Sequence, residues 1–88
     1  MELNEIQTIK INIYPNPTSG NIMLTLDKEN LSPDMKFVLT NLSGVRVRQI
    51  QINTVETTIE TKGLAPGVYL YQIGNNDGKT AKGKIEIQ

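Results

Sequence analysis

Ile9-Lys10-Ile11-Asn12-Ile13-Tyr14-Pro15-Asn16-Pro17-Thr18-Ser19-Gly20-Asn21-Ile22-Met23-Leu24-Thr25-Leu26 is the stretch on which the fold class turns. Ile9, Ile11 and Ile13 alternate with Lys10, Asn12 and Tyr14, and Ile22, Leu24 and Leu26 alternate with Met23 and Thr25. A period of two puts each apolar set on one face of a strand, whereas a helix requires apolar positions three and four apart. Between the two runs stand prolines without backbone donors, an asparagine able to bond its own backbone and a glycine free to take positive φ. The stretch reads as strand, turn, strand.

The same period continues outward. Asp27 to Asp34 is a charged loop in which Pro33 limits any helix to a single turn within residues 28–35. Phe37 to Leu42 is apolar on both faces, as in a central strand, and Leu42-Ser43-Gly44 forms a tight turn into Val45-Arg46-Val47-Arg48. Apolar positions then move from odd numbers (Val45, Val47) to even ones (Ile50, Ile52), so a bulge or bend must absorb one residue. Val55, Thr57, Ile59 and Thr61 against Glu56, Thr58 and Glu60 make a polar strand suited to a sheet edge.

Lys62 to Gly67 is a compact connector, and Val68-Tyr69-Leu70-Tyr71-Gln72-Ile73 reads as a strand buried on both faces. Asn75-Asn76-Asp77-Gly78 is a hairpin signal leading to Ala81, Gly83, Ile85 and Ile87, which alternate with Lys82, Lys84 and Glu86. About seven short strands with regularly spaced turns predict an all-β fold, an immunoglobulin-like antiparallel β-sandwich over residues 9–88. Residues 1–8 read as a linker remnant or tail.

At 88 residues the chain makes one domain, small enough that nearly every apolar side chain must serve the core. With one Phe, three Tyr and no Trp, that core is aliphatic. Nine basic residues balance nine acidic ones, so no net field draws nucleic acid or an anionic membrane to the chain. No apolar run approaches the roughly 20 residues of a membrane span, and the first residues lack the pattern of a signal peptide. Such a start fits either a cytosolic protein or a piece cut from a longer exported chain, of which the second reading is favoured.

The chemistry of catalysis is missing. Ser19, Ser32 and Ser43 have no histidine to take a hydroxyl proton, because the chain contains none. Without His or Cys a zinc site would rest on carboxylates alone, a poor match to that metal, and Asn75 to Gly78 lacks the spaced ligands of a calcium loop. No catalytic residue, metal ligand or cofactor site is therefore assigned. Arg46 and Arg48 read as a solvated face with no aromatic to stack a base, so no nucleic acid is expected. Lys79, Lys82 and Lys84 suit either an edge-strand guard against aggregation or part of a recognised surface. Tyr69 and Tyr71, two apart on one face, suit core packing, including a tyrosine at a sandwich corner, or a carbohydrate platform.

Three motifs carry a resemblance. Tyr14-Pro15-Asn16-Pro17-Thr18 with Gly20, Asn41-Leu42-Ser43-Gly44, and Leu64-Ala65-Pro66-Gly67-Val68-Tyr69 resemble, in order and spacing, the turn motifs of the C-terminal sorting domains, type A, of the type IX (Por) secretion system. Lys82-Gly83-Lys84-Ile85-Glu86-Ile87 is similar to their closing lysine-containing strand. Val45 and Gln88 depart from the pattern, which often has a basic residue at both places.

The resemblance implies a sorting signal at the end of a larger cargo protein, which it directs across the outer membrane of a Gram-negative bacterium. The cargo passes through the periplasm and ends secreted or at the cell surface, with the domain removed by a surface sorting peptidase in or before residues 1–8. It also implies a surface read by the outer-membrane machinery. That surface is assigned to Pro15, Asn16, Pro17 and Gly20, to Gly44, to Leu64, Gly67 and Tyr69, and to the final strand of Gly83, Lys84, Ile85, Glu86, Ile87 and Gln88. Exposed strand edges leave self-association through edges open. The rival reading is an immunoglobulin-like carbohydrate-binding or adhesin accessory module, which predicts an exposed aromatic face including Tyr69 and Tyr71.

Overall fold

The computed structural model describes residues 7, 8, 10–15, 20–75 and 79–88. The alternation around the first turn becomes an antiparallel pair, β2 (Ile11–Tyr14) against β3 (Ile22–Leu26), with Ile11 opposite Leu26 and Ile13 opposite Leu24. Ile9, which the sequence placed on the same strand, lies outside the described residues, as do residues 76–78 of the expected hairpin turn. On its other side β3 pairs with β6 (Glu56–Ile59), an edge strand as its polar alternation implied.

The larger sheet runs β1-β8-β7-β4-β5, with β1 Gln7–Thr8, β4 Lys36–Thr40, β5 Arg46–Gln51, β7 Gly67–Gly74 and β8 Lys79–Ile87. Leaving the short β1 aside, the strands divide as first, second and fifth in one sheet and third, fourth, sixth and seventh in the other. That is the connectivity of an immunoglobulin-like sandwich whose fourth strand joins the third. A 3₁₀ turn at Lys28–Asn30 is the helical element among the described residues, within the loop where a single turn was expected.

The two inner faces meet as the alternation requires. Ile22, Leu24 and Ile59 of the small sheet and Phe37, Leu39, Ile73 and Ile85 of the large one are almost wholly buried, with Ile52 and Met35 sealing the connections. At roughly 1.5–3 kcal/mol for each such side chain, this cluster is the main favourable term for so small a domain. Phe37 stacks on Tyr71 at a centroid separation of 5.9 Å.

Three details differ from the sequence reading, and a fourth gives the expected bulge of β5 its place. Gln7 and Thr8, within the stretch set apart as a tail, pair in parallel with Lys79 and Thr80, which adds an eighth strand. Strand β7 is buried on one face only, for Val68 and Leu70 are exposed at 39% and 43% because no third layer covers the large sheet. The extra residue of β5 is Val47, since Leu39 pairs with Arg48 but Thr40 with Arg46. Gly20 does not use positive φ, whereas Gly44 does, at +89°.

Candidate recognition surface

The strand directions decide which motifs meet. β3 begins and β6 ends at one end of the small sheet, and β4 ends, β7 begins and β8 ends at one end of the large sheet, as the pairs Ile22 with Ile59, Thr40 with Leu70, and Gly67 with Ile87 require. The bond from Thr61, between β6 and β7, to Gly20 brings the two ends together. Pro15, Gly20, the turn at Asn41–Val45, the connector Thr61–Gly67 and Gln88 therefore all lie at that end. The pairs Gln7 with Lys79 and Lys36 with Gly74 belong to the opposite end. The nine residues of β8 separate the ends by roughly 27 Å.

Local chemistry holds each turn. In the Asn41 turn, the side-chain Oδ1 accepts from the backbone N–H of Ser43 and of Val45, both at 2.9 Å, and Gly44 N–H donates to the Asn41 carbonyl at 3.0 Å. Asparagine suits the first position because its carbonyl reaches donors two residues on, and the left-handed φ at Gly44 suits a residue without Cβ. Leu42, at 69% exposure, projects from this turn.

In the Leu64–Tyr69 motif, Leu64 packs half-buried on the core and Gly67 opens β7. The phenol of Tyr69 donates to the carbonyl of Ala65 at 2.6 Å. A tyrosine at the start of this strand bonding back to the connector is the tyrosine corner of immunoglobulin-like sandwiches. The register then ties the motif to the final strand, with Gly67 opposite Ile87 and Tyr69 opposite Ile85.

The first motif is described in part. Pro15 and Gly20 are exposed, Tyr14–Pro15 is a cis peptide, and Asn16 and Pro17 lie outside the described residues. The Gly20 carbonyl accepts from Thr61 Oγ1 at 2.8 Å, which joins this turn to the connector before Leu64. Thr61 was missed as a site residue. Its signal was its place two after Ile59 on the inward face, where a polar side chain must find a partner.

Arg48 was also misread as part of a solvated face. The bulge at Val47 aligns it with the buried Leu39, and its guanidinium spans the gap between the sheets. Nε donates to the Glu60 carbonyl at 3.1 Å and one terminal nitrogen to the Lys62 carbonyl at 2.6 Å. The forked cation thus closes the open side of the sandwich beside the connector. Arg46 stays exposed and donates to Gln49 at 2.7 Å.

The final strand divides by alternation. Ile85 and Ile87 point into the core, while Lys84, Glu86 and Gln88 face outward. Gly83 lies at mid-sheet beneath the Tyr71 ring, away from the motif end. β1 covers β8 only at Lys79 and Thr80, so from Ala81 to Ile87 the strand has a strand neighbour on one side among the described residues. Tyr69 is 6% exposed and Tyr71 is stacked on Phe37, so neither presents the open aromatic platform that the rival reading requires. Burial raises the Tyr71 phenol above its ordinary value. No group of His, Cys, Asp and Glu suited to holding a metal occurs among the described residues.

Fold and motif placement define an immunoglobulin-like sandwich that displays its turns at one end. Residues 12–88 match the family described as the secretion system C-terminal sorting domain, and the chain belongs to that family. The family consists of sorting signals for type IX secretion, not catalysts, and forms part of larger proteins exported toward the cell surface or medium. No curated protein matches the chain.

Proposed function

We propose that this domain carries a larger cargo through the periplasm and across the outer membrane by type IX secretion, and that the motif end is the part the machinery reads. The family match over residues 12–88 carries this reading. Its geometric support is the gathering of the Gly20, Gly44 and Gly67 turns with Gln88 at one end, while Gln7 and Thr8 lie at the other. A cargo joined before residue 7 would leave that end facing away from itself. Fixed turns bind without a large ordering cost. The edge of β8 beyond Thr80 also suits strand addition by a receptor.

In this reading a cell-surface peptidase cuts in or before residues 1–8, and the cargo is released or anchored. Residues 9–88 are the sorting unit, with Gln7 and Thr8 paired at its edge. The test fuses residues 1–88 behind a periplasmic reporter in a bacterium that has this system. Reporter on the surface or in the medium is the expected result, and retention in the periplasm overturns the proposal. Deleting Gly83 to Gln88 removes core residues too, so Lys84→Ala/Glu86→Ala/Gln88→Ala is run beside it. Undiminished export by both the deletion and the triple variant would remove the final strand from the recognised surface.

A further inference from the structure

The uncovered outer face of the large sheet gathers cations around two outward apolar side chains, Val38 and Leu70. The registers align its outward side chains in rows across the strands β8, β7, β4 and β5. One row is Lys84, Leu70, Thr40, Arg46, and the next is Lys82, Gln72, Val38, Gln49. Lys36 stands in the third, beside Gly74. The rows enclose a shallow trough of about 670 Å³ whose described lining includes Lys36, Arg46 and Lys82 and no acidic residue. Glu86, the acid on this face of β8, lies outside that lining. A chain with no net charge thus sorts its charges, because alternation and register bring cations from positions 36, 46 and 82 to one face.

We infer that this trough, together with the adjoining pocket that Leu70 and Thr40 line, docks an acidic amphipathic helix of a partner protein, with an apolar stripe on Leu70 and Val38 and carboxylates toward the flanking cations. The sign of the charge sets the partner's sign. Three inter-strand steps separate Arg46 from the β8 lysines by about 14 Å, which admits a helix of about 10–12 Å diameter. The outward Leu70 and Val38, and the inward direction of Tyr69 and Tyr71, favour a polypeptide over a phosphorylated glycan, which would stack sugars on exposed aromatics. This surface lies on the sheet face and meets the motif end at Gly44 and Lys84, and the inference does not rest on the sorting reading.

The test titrates the isotope-labelled 88-residue chain with a helical peptide of about 14 residues that carries a leucine stripe flanked by glutamates, with polyglutamate of the same length and inositol hexakisphosphate as comparisons. Amide shifts confined to outward positions of β4, β7 and β8 are expected, with binding weakened by added salt. Arg46→Glu with Lys82→Glu should reduce affinity by about tenfold or more, since each exposed pair is worth roughly two- to fivefold. Leu70→Ser should weaken the amphipathic peptide and leave polyglutamate unchanged. These substitutions are at exposed positions and leave the core intact. Equal or tighter binding of the hexakisphosphate, binding indifferent to Leu70→Ser, shifts confined to the motif end, or no binding overturns the inference.

Discussion

Replacing Gly83 by alanine probes the close approach of the Tyr71 ring to the β8 backbone. Gly83 faces Tyr71 across β7 and β8, and a Cβ built on it would lie 2.6 Å from Cε2, Cζ and Oη of the ring, against an ordinary contact of 3.4–4 Å. The ring must retreat by about 1 Å, yet it is stacked on Phe37 at 5.9 Å and an interplanar angle of 15°, and Phe37 is fully buried. Crowding of this kind costs about 1–3 kcal/mol. For a domain of this size each kcal/mol lowers Tm by about 4–8 °C, so a cost near 2 kcal/mol corresponds to a drop of about 8–16 °C. Thermal and urea unfolding of Gly83→Ala, Tyr71→Val and the double variant form a cycle. With the ring removed, the alanine should cost little, leaving a coupling of about 1 kcal/mol or more. A drop below about 0.5 kcal/mol for Gly83→Ala, or the same loss in both backgrounds, refutes the reasoning, because the glycine would then not be a seat for the ring.

Three further outcomes follow from the same geometry. Arg48→Ala should destabilise by about 1–2 kcal/mol in urea unfolding, and Arg48→Lys should recover little, because a point charge cannot serve the Glu60 and Lys62 carbonyls together. Asn41→Ala should cost about 1 kcal/mol by the same assay, with faster hydrogen exchange at the Ser43 and Val45 amides it now holds. Because burial raises the Tyr71 phenol above 10.0, the folded chain holds that proton more tightly than the unfolded one. The associated stability is complete below pH 10.0 and is lost as pH rises through the raised value, so Tyr71→Phe should lose less stability than the parent in alkaline unfolding curves.

What the sequence determined by itself is local. Alternation at Ile11, Ile13, Ile22, Leu24 and Leu26 named the strands and their buried faces, the Asn41–Gly44 and Leu64–Gly67 chemistry named the turns, and the missing His and Cys removed the usual nucleophilic and zinc chemistries. Those readings need no partner strand, because a side chain's face within a strand follows from its parity. The motifs also named the family, since their order survives in the linear chain.

Only the tertiary structure decided what depends on pairing between distant residues. Parity alone could not tell that Val68 and Leu70 face solvent, because a strand reads as apolar on both faces whether or not a further layer covers it. The face switch in β5 signalled a bulge, but the partner Thr40 had to be known before Val47 could be named and Arg48 turned toward Glu60 and Lys62. The meeting of Gly20 with Thr61, the gathering of the motif turns beside Gln88 and the sorting of Lys36, Arg46 and Lys82 onto one face rest on register and sheet order. Those are long-range properties, set by how two apolar layers close on one another, and a period of two contains no record of them.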